Sequence, residues 1–268
     1  MIRVMGILNA TPDSFSDGGR WVDRDRALRH ALDMAAAGAD IIDVGGESTR
    51  PGARAVDVGE ELDRVVPLIE AIVAETDVTV SVDTSKPGVM EAAVRAGAAM
   101  INDVRALRGD GALAMAARLS VPVCLMHMQG EPRDMQVDPR YDDVVAEVGE
   151  FLVARARACE AAGIPGDHIL LDPGFGFGKS LQHNIELFRA LPRLRALGYP
   201  LLVGISRKST LGALTGRPVE ERLAGSVAGA LLAARSGADV VRVHDVAETV
   251  DALKVAEALG RTLHPYHG

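Results

Sequence analysis

The residues of this chain that could do chemistry recur at one kind of place, the end of a short apolar run. Eight such runs can be recognised, and a polar or charged residue follows almost every one. These residues are Asn9, Asp43, Asp83, Asn102 with Asp103, His127, Asp172, the run 206–209, and Arg242 with His244. One polar residue at a strand end is ordinary solvation, whereas eight in succession predict a shared site.

Two kinds of group are represented, and they suit two parts of one ligand. The potential anion binders are Arg50, Arg207, Lys208, Arg242 and His244. Arginine offers a planar fork for phosphate oxygens and lysine a point charge. The potential partners of a nitrogen-rich heterocycle are Asp83, Asn102 and Asp172, since a carboxylate accepts two N–H bonds and an amide both donates and accepts. A polyphosphate on a flat aminopyrimidinone ring would satisfy both sets.

Other motifs do not point to a nucleotide or to a metal. The glycine-rich stretch 174–180 resembles a P-loop, but that motif requires glycine at position 173, where the chain has Pro173. Five histidines show no metal-ligand spacing and are predicted to be surface residues: His30, His168, His183, His264 and His267. Glu60 and Glu61 are predicted to lie on a solvated helix face. Asp43, Asp103, His127 and Asp245 could contact ligand or only brace loops.

The apolar runs predict eight strands separated by helices. The strand predictions are 4–8, 41–44, 79–82, 100–102, 121–126, 169–171, 201–204 and 240–243. Residues 24–37 show the spacing of an amphipathic helix, and Pro87 suits the first turn of a helix over 87–96. Glycines that would end helices precede several strands, at Gly38, Gly97, Gly163, Gly198 and Gly237.

Eight strand–helix units predict one α/β domain over 1–268, a (β/α)₈ TIM barrel whose strand ends form one catalytic rim. Each unit has about 33 residues, which is usual for this fold. An open doubly wound sheet is the alternative, and the absence of a linker favours the barrel. The connections 10–23 and 45–58, after strands one and two, are long and polar, as binding loops usually are.

Composition limits the possible functions. The 268 residues have a net charge of −8, which argues against nucleic-acid or membrane-surface partners because those need a basic face. Cys124 and Cys159 lie in apolar stretches and predict free core thiols in a reducing cytoplasm. The chain enters a strand-like run at Val4, so no signal peptide is expected, and no window is apolar enough for a membrane span.

The motifs on these strand ends resemble those of the bacterial dihydropteroate synthases of folate synthesis. The matching stretches are 5–19 (MGILNATPDSFSDGG), 43–52 (DVGGESTRPG), 81–84 (SVDT), 101–103 (IND), 126–130 (MHMQG), 172–179 (DPGFGFGK), 204–209 (GISRKS) and 242–245 (RVHD). They occur in order over nearly the whole chain. Only the stretch 131–134 departs from the family pattern, and it touches no proposed ligand position.

The resemblance implies roles for individual residues. Asp83, Asn102, Asp172, Lys208 and Arg242 resemble the pterin-binding set of the family. Asn9, Arg242 and His244 resemble its diphosphate-binding set, with Asn9 also a ligand of Mg²⁺. Thr49, Arg50, Pro51, Phe177 and Ser209 match positions around 4-aminobenzoate, where sulfonamides compete. Asp83, Lys208, Arg242 and His244 are the candidate catalytic residues.

The reaction implied by the resemblance joins 6-hydroxymethyl-7,8-dihydropterin diphosphate to 4-aminobenzoate and releases diphosphate. Its implied course is dissociative, with the C–O bond breaking before the aniline nitrogen attacks. The sequence has no Ser–His–Asp or Cys–His arrangement, and an electrophile formed by ionisation needs none. The resemblance also suggests a homodimer. Two alternatives stay open: a pterin-dependent methyltransferase on the same barrel, and a non-catalytic pterin-binding paralogue.

Overall fold

The fold alternates strands and helices along the whole described chain. A computed structural model describes residues 2–10, 20–48, 54–131 and 135–260. The strands are β1 (Arg3–Asn9), β2 (Ile41–Gly45), β3 (Thr79–Asp83), β4 (Met100–Asp103), β5 (Val123–Met126), β6 (Ile169–Asp172), β7 (Leu202–Val203) and β8 (Val240–Val243). The helices are α1 (Arg20–Ala36), α2 (Val58–Glu75), α3 (Pro87–Arg95), α4 (Ala112–Leu119), α5 (Val144–Ala161), α6 (Leu181–Arg189), α7 (Leu191–Arg195), α8 (Ser209–Thr215), α9 (Leu223–Arg235) and α10 (Val246–Leu259).

All eight strands are parallel and close into a barrel. The strand order is β6-β5-β4-β3-β2-β1-β8-β7, so the first strand pairs with both the second and the last. A parallel bridge between Leu171 and Leu201 joins the two ends of this row. The prediction of a (β/α)₈ barrel is therefore confirmed, and the open doubly wound sheet is excluded.

The barrel interior consists of an apolar plug below a polar layer. Seven buried residues of the strands form the plug: Met5, Ile41, Met100, Cys124, Leu170, Leu202 and Val240. Residues two positions apart in a strand face the same side. The inward residues one step above the plug are therefore polar in four strands, namely Asp43, Asn102, Asp172 and Arg242.

The intervening strand residues face the helices and form the main core with them. They are aliphatic, as in Ile42 and Val44 of β2 or Val80 and Val82 of β3, and all four are essentially inaccessible to water. Parallel strands that are buried on both faces usually show such continuous apolar runs. Cys124 and Cys159 are buried and free, as predicted.

The predicted strands are confirmed to within about two residues at each end, the usual uncertainty of element boundaries. The strand predicted over 121–126 begins at Val123, after Pro122, which has no N–H to donate. The five predicted helix-stop glycines all have positive φ, among them Gly97 at 113° and Gly237 at 99°. The middle portions of the two long loops, 11–19 and 49–53, lie outside the described residues. Among the described helices, none is long and apolar enough to cross a bilayer.

One prediction about the helices is wrong. Glu61 lies in the first turn of α2 but is fully buried, and its carboxylate forms an ion pair with Lys86, which also pairs with Glu47. The local pattern of α2 predicts a solvated face for Glu61. It cannot reveal the ion pair, because Lys86 precedes a different helix, α3, and reaches Glu61 only in the tertiary structure. These two ion pairs connect the chain just after β2, at Glu47, and the start of α2, at Glu61, to the chain just after β3.

The plug should dominate the stability of the barrel interior. We expect Leu170→Ala to lower the free energy of unfolding by about 2–5 kcal/mol, because it leaves a cavity that the surrounding strands cannot fill. Urea unfolding followed by circular dichroism measures this. Leu259→Ala is the matched control, since Leu259 is 85% exposed and its truncation should cost less than about 0.5 kcal/mol. Equal losses in the two variants would contradict the plug.

Candidate active site

Arg242 lies at the centre of the polar layer, between two carboxylates from neighbouring strands. Its Nε donates to Asp43 Oδ2 at 2.7 Å, and its Nη2 donates to Asp83 Oδ2 at 2.9 Å. The amide of Asn102 donates to the same Asp43 oxygen at 2.9 Å. Three of the predicted site residues and Asp43 therefore form one hydrogen-bonded group.

The charges of this group are unbalanced, because one guanidinium faces two carboxyls, of which Asp43 is fully buried and Asp83 largely so. Burial, reinforced by the charge of Asp43, raises the pKa of the Asp83 carboxyl to about 8, although Arg242 opposes the rise. Burial also disfavours the charge on Arg242, but Asp43 and Asp83 outweigh it and raise the pKa of the guanidinium. Arg242 therefore stays charged, whereas the raised pKa brings the Asp83 carboxyl into a range in which it can bind a proton.

Asp172 and Lys208 lie beside this group as a second acid and base. Asp172 Oδ1 accepts a hydrogen bond of 2.7 Å from the backbone N–H of Gly174. Burial raises the pKa of Asp172 and lowers that of Lys208 to about 8, and the opposite charges of the two side chains counter both shifts. The Lys208 ammonium bonds to the carbonyl of Phe175 and lies 4.8 Å from the ring centre of Phe177.

Two of the anion-binding candidates, Arg207 and His244, line a pocket at the ends of β1 and β8. Its volume is about 510 Å³, and Asn9, Arg207 and His244 are among its lining residues. Nδ1 of His244 lies 3.1 Å from the Ser206 hydroxyl, and Arg207 Nε donates to Asp245 at 3.1 Å. The helix α10 begins at Val246 on the wall of this pocket. The N-terminus of a helix favours an anion, whereas the carboxylates of Asp33, Asp245 and Glu248, which also line the pocket, oppose one.

The residues matched to the aminobenzoate subsite are only partly described. Thr49, Arg50 and Pro51 lie outside the described residues. Phe177 packs against a cluster formed by Val104, Met126, Met128 and Met135. Ser209 is exposed at the first position of α8, directly after Lys208. The described part of this subsite is therefore the side of the barrel near Lys208.

The four residues whose roles the sequence left open have different surroundings. Asp43 belongs to the Arg242 group. Asp103 accepts backbone N–H bonds from Arg105 and Leu107 at 2.8 and 2.9 Å and thus braces the loop after β4. Nδ1 of His127 lies 3.0 Å from Lys179 Nζ. Asp245 pairs with Arg207.

Three functional candidates cannot be assigned from the sequence. The strand pattern leaves the role of Asp43 open, and Lys179 belongs to a stretch that fails the P-loop pattern. Ser206, which contacts His244, stands out only as part of the run 206–209. The signal that could identify Asp43 is its position two residues after an apolar inward residue, the same step that relates Asn102 to Met100.

The described residues do not by themselves form a metal centre. Across residues 2–10, 20–48, 54–131 and 135–260, no group of three or more His, Cys, Asp or Glu side chains could hold a metal ion. Asn9 offers one neutral oxygen at the pocket. One protein oxygen is compatible with Mg²⁺ if the ion takes its other ligands from substrate phosphate oxygens and water, as Mg²⁺ usually does.

Comparison with known sequences gives a consistent result. A model of the pterin-binding enzymes matches residues 5–244. The dihydropteroate synthase of Escherichia coli strain K12 is 55% identical over 256 residues, which cover 96% of this chain and 91% of the relative. That of Haemophilus influenzae is 52% identical over 256 residues, with coverages of 96% and 93%.

Comparison with solved structures also finds dihydropteroate synthases. The crystal structure of Yersinia pestis dihydropteroate synthase with a sulfonamide drug matches with a TM-score of 0.92 at 54% identity, covering 96% of this chain and 94% of that one. The Xanthomonas albilineans enzyme with 4-aminobenzoic acid matches with a TM-score of 0.93 at 59% identity, with coverages of 97% and 94%. The same enzyme with 7,8-dihydropteroate gives 0.89 at 55%, with coverages of 97% and 94%.

The closed parallel barrel with a polar rim is the architecture of a barrel enzyme. The chain belongs to the pterin-binding enzyme family, in its dihydropteroate synthase group.

The raised pKa of Asp83 predicts a pH-dependent stability. A carboxyl whose pKa rises from 3.8 to about 8 on folding binds more protons when folded, so its contribution to stability is lost as the pH rises between these values. Asp83→Asn does not titrate. We expect the stability of the wild type relative to this variant to fall from about pH 4 to about pH 8 and then to level off.

Urea unfolding at several pH values tests this expectation. The exposed Asp251→Asn on α10 is the control. The raised pKa of Asp83 would be contradicted if the difference in free energy of unfolding between the wild type and Asp83→Asn does not change with pH.

Proposed function

We propose that this site condenses 6-hydroxymethyl-7,8-dihydropterin diphosphate with 4-aminobenzoate to give 7,8-dihydropteroate and diphosphate. The chain is a transferase of a pterinylmethyl group in folate biosynthesis. One observation supports the residue roles most directly. Arg242 bonds to Asp83 in the polar layer, and His244, directly after the end of β8, lines the pocket two residues later. A ring and its phosphate substituent could therefore be bound side by side.

The pterin ring would lie over the polar layer. Asp83, Asn102 and Asp172 would accept from and donate to its nitrogen edge, and Lys208 and Arg242 would flank it. Because ring N–H donors favour the ionised carboxyl, we expect Asp83 to be a carboxylate in the bound complex. Two carboxylates beside the ring would then stabilise a pterin cation more than its neutral precursor.

The diphosphate would occupy the pocket at the ends of β1 and β8. Arg242 and His244 would donate hydrogen bonds to it, and the N-terminus of α10 would add a positive partial charge. Asn9 would be the protein ligand of Mg²⁺, which when bound neutralises part of the diphosphate charge. Among the effects that lower a barrier in enzymes, preorganised charge of this kind usually contributes most.

The proposed course is dissociative. The C–O bond between the pterin methylene and diphosphate breaks first, and its electron pair leaves with the diphosphate. The aniline nitrogen of 4-aminobenzoate then forms the C–N bond and afterwards loses a proton. This nitrogen is nucleophilic without prior deprotonation, so no strong general base is required. Phe177, Ser209, Thr49, Arg50 and Pro51 would surround the aminobenzoate.

Several further properties are part of this proposal. We infer that 1–268 acts as one domain, as a cytoplasmic homodimer with small-molecule substrates and without nucleic-acid or membrane partners. The net charge of −8 supports the last point. We also infer that Mg²⁺ binds together with the diphosphate, whose oxygens would supply ligands beside that of Asn9.

The two alternatives differ from the synthase in what they need. A methyltransferase would share Asp83, Asn102 and Asp172 but would not require the anion-binding residues. A non-catalytic paralogue would be expected to lose loop residues, and the stretches 9–19 and 45–52 are intact.

The test is a coupled assay with purified protein, Mg²⁺ and both substrates. We expect diphosphate and dihydropteroate to appear in equal amounts. Methyl transfer from methyltetrahydrofolate without diphosphate release would favour the methyltransferase. Tight pterin diphosphate binding without turnover would favour the paralogue.

Asp172 provides a test of the pterin site. Asp172→Ala should remove two charge-assisted hydrogen bonds of about 1.5–3 kcal/mol each, so pterin affinity should fall roughly 10²–10⁴-fold. Titration calorimetry measures this, with Asp251→Ala on the exposed face of α10 as the control. A fall of less than about fivefold, which is about 1 kcal/mol, would mean that Asp172 does not bind the ring.

A further inference from the structure

The glycine-rich loop, residues 174–178, is held in an unusual way. Each of its five consecutive backbone carbonyls accepts a hydrogen bond from a side chain. Lys179 donates to the carbonyls of residues 174 and 177, both at 2.9 Å, and Tyr141 donates to that of residue 178 at 2.8 Å. Lys208 donates to residue 175 and Gln136 to residue 176. The structure describes all of 173–180 and shows no helix or strand there, so these donors replace a backbone ladder.

The loop needs such support because its sequence is intrinsically flexible. Gly174, Gly176 and Gly178 all have positive φ, between 62° and 79°. Ordering one residue costs about 1–2 kcal/mol of backbone entropy, and glycine loses the most. A Cβ on Gly174 would lie 1.9 Å from the His127 carbonyl oxygen, so the loop is pressed directly against the end of β5.

Lys179 is the centre of this support. Its side chain is only 3% exposed, and besides the two loop carbonyls its Nζ contacts His127 at Nδ1 (3.0 Å) and at the carbonyl (3.3 Å). Burial lowers the pKa of His127 to about 3, so its neutral ring can accept a hydrogen bond, and burial also lowers the pKa of Lys179 to about 7. All hydrogens of the Lys179 amino group are used within the protein. It therefore cannot be a ligand-binding lysine in this conformation.

The loop in turn contacts the proposed substrate residues. At its start, the N–H of Gly174 donates to Asp172 at 2.7 Å. In its middle and second half, the Phe175 carbonyl and the Phe177 ring fix the Lys208 ammonium. Tyr141 bonds to the residue directly after Phe177. The two ends of the loop thus lie at the residues assigned to different substrates in the proposed function, Asp172 for the pterin and Phe177 for the aminobenzoate.

We propose that Lys179 and Tyr141 are positioning residues for the aminobenzoate subsite. They act by fixing the carbonyls of residues 174, 177 and 178, and so the loop that carries Phe177 and the Phe175 carbonyl to which Lys208 bonds. This inference rests on the proposed function. Tyr141 acts at the aminobenzoate end alone. Lys179 acts at both ends, so its loss affects aminobenzoate most and pterin to a smaller extent.

The experiment measures the KM for 4-aminobenzoate at saturating pterin diphosphate, the pterin diphosphate affinity and the Tm. Tyr141→Phe, which removes one hydrogen bond, should raise the aminobenzoate KM about fivefold and leave pterin affinity within about twofold. Lys179→Met should raise the same KM by more than about tenfold and also weaken pterin binding.

Two matched controls lie away from the loop. Tyr199→Phe removes a hydroxyl that bonds to Glu160 at 3.0 Å, at the opposite end of the barrel, and Lys254→Met alters an exposed lysine of α10. Neither should change the aminobenzoate KM. The KM measurement separates positioning from stability, because a merely structural bond would lower the Tm without changing substrate preference.

The outcomes are distinct. An aminobenzoate KM in Tyr141→Phe that equals that of Tyr199→Phe would overturn the inference, even if Lys179→Met does not fold. Equal weakening of both substrates by Tyr141→Phe would overturn it as well. If the wild type releases no diphosphate, the proposed function fails and the inference falls with it, whereas an active wild type with unaltered variants refutes the inference alone.

Discussion

The site depends on one guanidinium held between a fully buried carboxyl and a largely buried one. Arg242 bonds to Asp43 and Asp83, and Asn102 completes the group by donating to Asp43. Removing one partner of a buried ion pair typically costs about 3–5 kcal/mol, because the other charge is left unpaired. The four side chains therefore hold one another in place, and the end of β8 has a defined position relative to β2, β3 and β4. The position of the pocket at the ends of β1 and β8, which His244 lines, is thereby fixed as well.

The hydrogen-bonded group around Arg242 also joins the residues assigned to the pterin to those assigned to the diphosphate in the proposed function. The proposed reaction would need anions near the cation and cations near the leaving group. Arg242 would serve both needs, since its guanidinium balances the acidic groups and its strand leads to the pocket at the ends of β1 and β8. Acids and bases are therefore interleaved in this barrel rather than facing each other as two separate sets.

Burial also brings acid and base strengths together. It raises the pKa of the Asp83 carboxyl to about 8 and lowers that of the Lys208 ammonium to about 8. An aspartic acid and a lysine whose pKa values lie more than about six units apart in water thus titrate in the same range when desolvated. Binding a charged substrate should consequently move protons. The glycine-rich loop maintains this environment, because Lys208 and Asp172 both bond to its backbone.

Much of this molecule could be predicted from its sequence, because the relevant signals are local. Inward and outward strand residues alternate with period two, so apolar runs ending in polar residues specified the eight strands and placed Asp83, Asn102, Asp172 and Arg242 at one rim. The helix-stop glycines likewise reflect a local backbone requirement. The family resemblance then suggested chemical roles, which spacing alone did not determine.

Only the tertiary structure decided which of these side chains contact each other. Asp43 and Arg242 are 199 residues apart, and their hydrogen bond exists because barrel closure makes the first strand pair with both the second and the last. The sequence pattern of α2 predicted that Glu61 is exposed to solvent, because a helical pattern contains no information about Lys86, which follows β3. Lys179 lies in the stretch that does not match the P-loop pattern, so no motif assigned it a role, yet its side chain bonds to the backbone of residues 174 and 177. The sequence thus determined the elements and their polar ends, whereas pair contacts, burial and the resulting pKa values follow from long-range packing that no local pattern encodes.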